Sequence, residues 1–172
     1  MERSGHMKID RRTVLALLLL GLPLGAFAQA SGVGLGFSVG GAIPTGNLAG
    51  IPGMSGLLSF AYGFYVDIPL VSTFHITPSS ELYRLADQNA TDFDLAFKFI
   101  VPLASMDIFA GFVPGLTAVS STLDVHLGAL IGASFSLVSN LSAFVQGKWD
   151  LLFDPAQNVN IFHLTAGILF AF

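Results

Sequence analysis

From Gly32 onward the chain alternates between apolar and small or polar positions in steps of two, in eight successive stretches of about ten residues. Side chains of a strand point to opposite faces in turn, so each stretch reads as a strand with one apolar face. The first, Gly32 to Gly41, sets Val33, Leu35, Phe37 and Val39 against glycines and Ser38. The second, Ser55 to Val66, sets Leu58, Phe60, Tyr62 and Phe64 against Ser59, Ala61, Gly63 and Tyr65. In the third, Thr73 to Tyr83, Phe74, Ile76 and Leu82 oppose His75, Thr77, Ser79, Glu81 and Tyr83. The fourth, Phe93 to Val101, is the cleanest: Phe93, Leu95, Phe97, Phe99 and Val101 share a face against Asp94, Ala96 and Lys98. The fifth, Met106 to Leu116, alternates poorly. The sixth (Leu123 to Phe135), seventh (Leu141 to Leu152) and eighth (Asn160 to Phe172) resume the pattern.

The charges inside these stretches fall on the face opposite most of the phenylalanines. The pattern fits two media: an apolar face turned inward in a water-soluble body, or outward into lipid. Composition leans to the second, with 53% hydrophobic and only 10% charged residues against about 25% charged in ordinary globular chains. The N-terminus decides it. Lys8, Arg11 and Arg12 precede an apolar run from Thr13 to Leu24 and the small-residue stretch Gly25-Ala26-Phe27-Ala28-Gln29-Ala30. That order is a secretory signal peptide, cleaved after Ala28 or Ala30, and the run is too short to span a bilayer as a helix. Residues 1–30 are therefore expected to be removed and 31–172 to form one domain. The expected fold is all-β: an eight-stranded antiparallel up-and-down transmembrane β-barrel, in which closure pairs the backbone groups that lipid cannot satisfy. Pro78 and Pro114 lie inside strands three and five and predict bulges or early strand ends there.

An even strand number puts both termini on one side, and the pattern of the last strand makes that side the periplasm. Asp67 to Ser72, Pro102 to Ser105 and Ser136 to Asn140 are then periplasmic turns. Ala42 to Met54, Arg84 to Asp92, Thr117 to Thr122 and Phe153 to Val159 face outward. Aromatic girdles are expected from Trp149 and Phe93 at the outer boundary and from Phe172, Phe135 and Phe74 at the inner one. The chain has no cysteine, which removes disulfides and thiol chemistry. Beyond the signal, Arg84, Lys98 and Lys148 face nine carboxylates, so no basic footprint for nucleic acid exists.

The inward face carries a candidate polar network: His75, Glu81, Asp94, Lys98, Asp124, His126, Gln146, Lys148, Asp150 and His163. A tight turn near Val138 would set His126 across from Asp150. Buried charges need partners, so the network is expected to act as a salt-bridged plug. The three histidines on strands three, six and eight have no short metal-ligand spacing, and no cofactor is expected. The glycine face of strand one (Gly34, Gly36, Gly40) leaves a narrow path for a small hydrophobic ligand unless Tyr65, Tyr83 and Phe109 fill it.

Thr165, Gly167, Phe170 and Phe172 match, place for place, the C-terminal assembly signal of bacterial outer-membrane barrels. The resemblance implies outer-membrane lipid and the barrel-assembly machinery as partners. The whole segment from Ser31 resembles the small eight-stranded barrels of the OmpA-transmembrane-domain, OmpX and OmpW type. That implies a structural or surface-interaction role without catalysis or, by the OmpW likeness, a narrow channel for small hydrophobic molecules. His163-Leu164-Thr165 has the shape of the His-x-Ser pair with which some such barrels deacylate lipid A, but with threonine, and with a parity that turns it inward.

Overall fold

The structure, a computed structural model, describes residues 32–45, 58–85, 88–120, 122–153 and 158–172. Eight strands follow in chain order: β1 Gly34–Thr45, β2 Ser59–Val71, β3 Phe74–Leu85, β4 Gln88–Pro102, β5 Asp107–Val119, β6 Thr122–Val138, β7 Leu141–Phe153 and β8 Val159–Ala171. Each pairs antiparallel with its chain neighbours. β8 returns to β1, with Leu35 opposite Phe170 and Thr45 opposite Asn160. The result is a closed eight-stranded up-and-down barrel, as the alternation predicts, and closure leaves no unpaired edge. The signal peptide assigned to residues 1–30 lies outside the described residues.

The barrel is apolar side out. Phe60, Phe99 and Ile131 are 63–66% exposed on the outer wall, while Lys148 and Asp150 are 2% and 1% exposed in the interior. Outward rings touch across strands: Phe37 and Phe64 lie 5.4 Å apart, and Phe74 and Phe99 4.9 Å. This inverts the arrangement of a water-soluble barrel and is the transmembrane form of the fold. Strands of twelve to seventeen residues exceed the roughly 9–11 that cross a bilayer.

Strand ends differ from the sequence expectation, and all strands but β8 run longer than their stretches. Asp67, expected in a turn, belongs to β2, because its inward carboxylate is held by partners inside the barrel. Asp92, expected in an outward loop, is likewise an inward residue of β4. The β6–β7 turn is centred on Ser139 and Asn140, with a register shift between Ser136 and Val138. Asp150 therefore sits opposite Gly128, and His126 opposite Leu152, two places from the expected register.

The prolines also correct the expectation. Neither produces a bulge or an early end. β2–β3 pairing is interrupted opposite Thr77 and Pro78, but Tyr65↔Ser79 and Ile68↔Ile76 keep one register. β4–β5 pairing is interrupted opposite Val113 and Pro114, with Asp94↔Gly115 and Phe97↔Phe112 again in one register. Each proline continues its ladder on the other side, to Leu95 and Leu127. A missing N–H removes local bonds on one side only, and the neighbouring strands hold the frame.

The interior is layered. Towards the loop end an apolar layer contains Ala42, Ala61, Tyr83, Leu85, Leu152 and Ile161. Towards the turn end a second contains Ala96, Phe109, Val113 and Leu130, with Ile100 and Phe144 against it. Phe109 and Val113 explain the poor alternation of the fifth stretch: here the inward face is apolar too. The charged layer lies between.

Candidate functional site

Lys148, on β7, is the centre of the charged layer. Its Nζ lies 3.0 Å from Glu81, 3.3 Å from Asp92, 2.8 Å from Asp94 and 3.1 Å from Asp150. The four carboxylates come from β3, β4 and β7, all at inward parity, and all are buried. Opposite-charge attraction in a low-dielectric interior holds such a layer only when the remaining lone pairs also find donors. Tyr83 and Thr117 donate to the same Asp92 oxygen at 3.0 and 2.7 Å. His126 Nε2 lies 2.9 Å from Asp94, and its Nδ1 lies 2.8 Å from Thr117 Oγ1. Thr117 spends its own proton on Asp92, so it accepts from Nδ1, and both ring nitrogens of His126 act as donors. His163 reaches Glu81 and Asp150 at 3.3 Å and stacks edge-on to Tyr83 at 5.0 Å between ring centroids.

Two inward glycines make room for this layer. A Cβ at Gly115 would strike the His126 ring and Asp94, and one at Gly128 would strike the Asp150 carboxylate. The side chains that fill the barrel are seated over the residues that lack one.

A second, smaller cluster sits towards the turn end. Asp67 accepts from Thr77 at 2.6 Å and pairs with His75 at 2.6 Å and Lys98 at 2.8 Å. The Lys98 ammonium also stands 5.3 Å over the Phe109 ring. Between the clusters, Ser38 and Gln146 both bond the Tyr65 hydroxyl, at 2.9 and 3.2 Å. A cavity of about 10 Å³ touches both clusters, lined by Glu81, Asp94, Lys98, Lys148 and Tyr65 among others. That is room for about one water.

Of the residues singled out from sequence, Glu81, Asp94, His126, Lys148, Asp150 and His163 meet in the central layer. His75 and Lys98 stand apart with Asp67, and Gln146 joins Tyr65. Asp124 is half-buried opposite Thr117 and makes no ion pair among the described residues. The three histidines do not form one group. Asp67, Asp92, Thr117 and Tyr83 complete the clusters and were missed as members. Asp67 and Asp92 carried the signal, since each has inward parity one step beyond where its alternating stretch was ended. Glu81, Asp92 and His163 place possible metal ligand atoms within 4.8 Å of one another. The Lys148 ammonium already occupies the position a cation would take against the two carboxylates. The geometry is a salt-bridged plug, with each charged member within 3.3 Å of an opposite charge.

No family model matches the chain, and no curated protein matches it. Solved structures do. Neisserial surface protein A superposes with a TM-score of 0.70 at 13% identity, over 81% of this chain and 97% of that one. The fold is that of the small outer-membrane barrels. Ail, the attachment invasion locus protein of Yersinia pestis, in complex with the heparin analogue sucrose octasulfate, gives 0.56 at 10% identity, over 83% of this chain and 99% of that one. The N-terminal β-barrel domain of Pseudomonas aeruginosa OprF gives 0.53 at 12%, over 83% and 100%. At these identities the likeness is one of fold.

Proposed function

We propose that the protein is an integral barrel of a bacterial outer membrane, with both termini in the periplasm and a structural or surface-interaction role without catalysis. The observation that carries this is the plug: one ammonium within 3.3 Å of four buried carboxylates, between two apolar layers. The cavity between the two clusters has room for about one water and offers no seat to a substrate, which leaves the outer wall and the loops to carry function. The fold it shares with a Neisserial surface protein and with an attachment protein supports a surface role. His163 and Thr165 are both buried in the interior, away from any lipid acyl chain, which speaks against the deacylase likeness. The barrel-assembly machinery is the partner proposed for β8, through Thr165, Gly167, Phe170 and Phe172.

The test is gel mobility before and after boiling, combined with protease treatment of intact cells. A faster-migrating form that is lost on boiling, with cleavage confined to the loops, is the expected result. A protein that extracts without detergent and shows no mobility shift would sink the proposal. Lipid A mass spectra should be unchanged by expression of the chain; loss of an acyl chain would reinstate an enzyme.

A further inference from the structure

The end of the barrel that carries the short turns stays apolar past the wall. β2 and β3 are joined through Ser72 and Thr73, β4 and β5 through residues 103–106, and β6 and β7 through Ser139 and Asn140. No Asp, Glu, Lys or Arg occurs between Asp67 and His75, between Lys98 and Asp107, or between Asp124 and Lys148. In place of charge the turns expose Leu70, Val71, Leu103, Leu137 and Val138, each between 46% and 59%. Leu70–Val71 and Leu137–Val138 are consecutive pairs. Leu70 and Leu137 are the unpaired residues of register shifts beside the turns, and with Val71 and Val138 they leave two consecutive exposed apolar side chains at each hairpin tip. The loop end is mixed: among the described residues it exposes Arg84, Gln88, Asn89, Ser120 and Thr122 beside Leu58, Leu123 and Phe153.

We propose that the turn end is seated in the lipid interface, covered by the headgroup–acyl boundary of the leaflet on its own side, and does not project into water. Two observations name lipid as the occupant. The patch is continuous with the lipid-facing wall through Val101 and Phe135, both exposed. It is also rimmed mainly by uncharged hydrogen-bonding groups, Ser72, Thr73, Ser105, Ser139 and Asn140, with half-buried Asp107 as the charged group beside them, which suits the mixed polarity of that boundary. The inference rests on the transmembrane reading and adds the depth at which the barrel sits.

The absence of cysteine makes the test direct. Leu70→Cys, Leu103→Cys and Leu137→Cys each carry a nitroxide, in protein reconstituted into phosphatidylcholine vesicles and checked for heat-modifiable mobility. Ile131→Cys marks the middle of the wall and Ser120→Cys the loop end. Power saturation then compares access of oxygen, which enters lipid, with that of a water-soluble nickel chelate. The expected result is several-fold preference for oxygen at the three turn sites, as at Ile131, and the reverse at Ser120. Nickel access at the turns with Ile131 still in lipid overturns the depth inference alone. Nickel access at Ile131 as well overturns the membrane reading. Spin–spin broadening at the turn sites that unlabelled protein dilutes away would show a second copy covering the patch, and would overturn the lipid assignment too. Three independent turn sites keep the result decisive if one variant fails to fold.

Discussion

Lys148 lies within 3.3 Å of four carboxylates, more than either histidine of the layer reaches, so the charged layer depends on it more than on any other residue. Removing one partner of a buried ion pair costs about 3–5 kcal/mol, because the other charges stay behind unpaired. Lys148→Ala should lower the urea midpoint by that much free energy at unchanged slope, and Lys148→Met, which keeps most of the volume, should lose nearly as much. A loss under about 1 kcal/mol would mean that the layer is not held by charge. The glycines give a sharper contrast. Gly128→Ala pushes a methyl into the Asp150 carboxylate and to within 2.8 Å of the Trp149 carbonyl oxygen, and should cost about 1–3 kcal/mol. Gly147→Ala, whose methyl would meet the Phe162 ring at an ordinary 3.4 Å, should stay within about 0.5 kcal/mol. Equal effects in the same titration would remove the seating argument. At this scale parity made most of the layer legible before any coordinates. Glu81, Asp94, Lys148 and Asp150 were on the inward face by counting alone. What counting by twos could not supply was depth along the barrel: His75 and Lys98 share β3 and β4 with Glu81 and Asp94 but stand nearer the turn end, and Asp124 shares β6 with His126 but stands nearer the loop end.

At the scale of the strand, a period of two identifies a ladder well and its ends badly. Asp67 and Asp92 look like loop residues because a charge at the end of an apolar stretch normally meets water. In a barrel with a polar interior the same charge has a second place to go, and both strands continue through it. The fifth stretch was obscured for the opposite reason, since Phe109 and Val113 face an apolar layer inside. Pro78 and Pro114 were expected to break their strands, and instead each leaves a gap on one side of an unbroken register. The two prolines flank Leu95 of β4, one paired with it and the other opposite the gap on its far side. Restoring the N–H should therefore restore a bond. Pro78→Val is expected to raise stability by about 1 kcal/mol, measured by urea unfolding in the same vesicles. A loss of that size would show that the gap is filled by another donor, or that the ring packs usefully against the wall.

For the whole molecule the proposed consequence of the layering is a closed lumen, with three barriers in series. The charged layer blocks by filling and by holding its ions to one another. The apolar layers on either side exclude ions by failing to wet, as hydrophobic constrictions do in channels. A planar bilayer containing the protein should accordingly give a flat current trace. The stronger prediction concerns Lys148→Ala, because it separates the barriers. Removing the ammonium leaves the charged layer loosened and negative, a lining that would favour cations if it alone closed the pore. With the layer of Leu85, Leu152 and Ile161 above it and that of Phe109, Val113 and Leu130 below it both intact, the trace should stay flat even in this variant. Discrete cation-selective openings in Lys148→Ala would show that the apolar layers hold water after all. Openings in the unaltered protein would return the narrow-channel reading that the filled interior argues against.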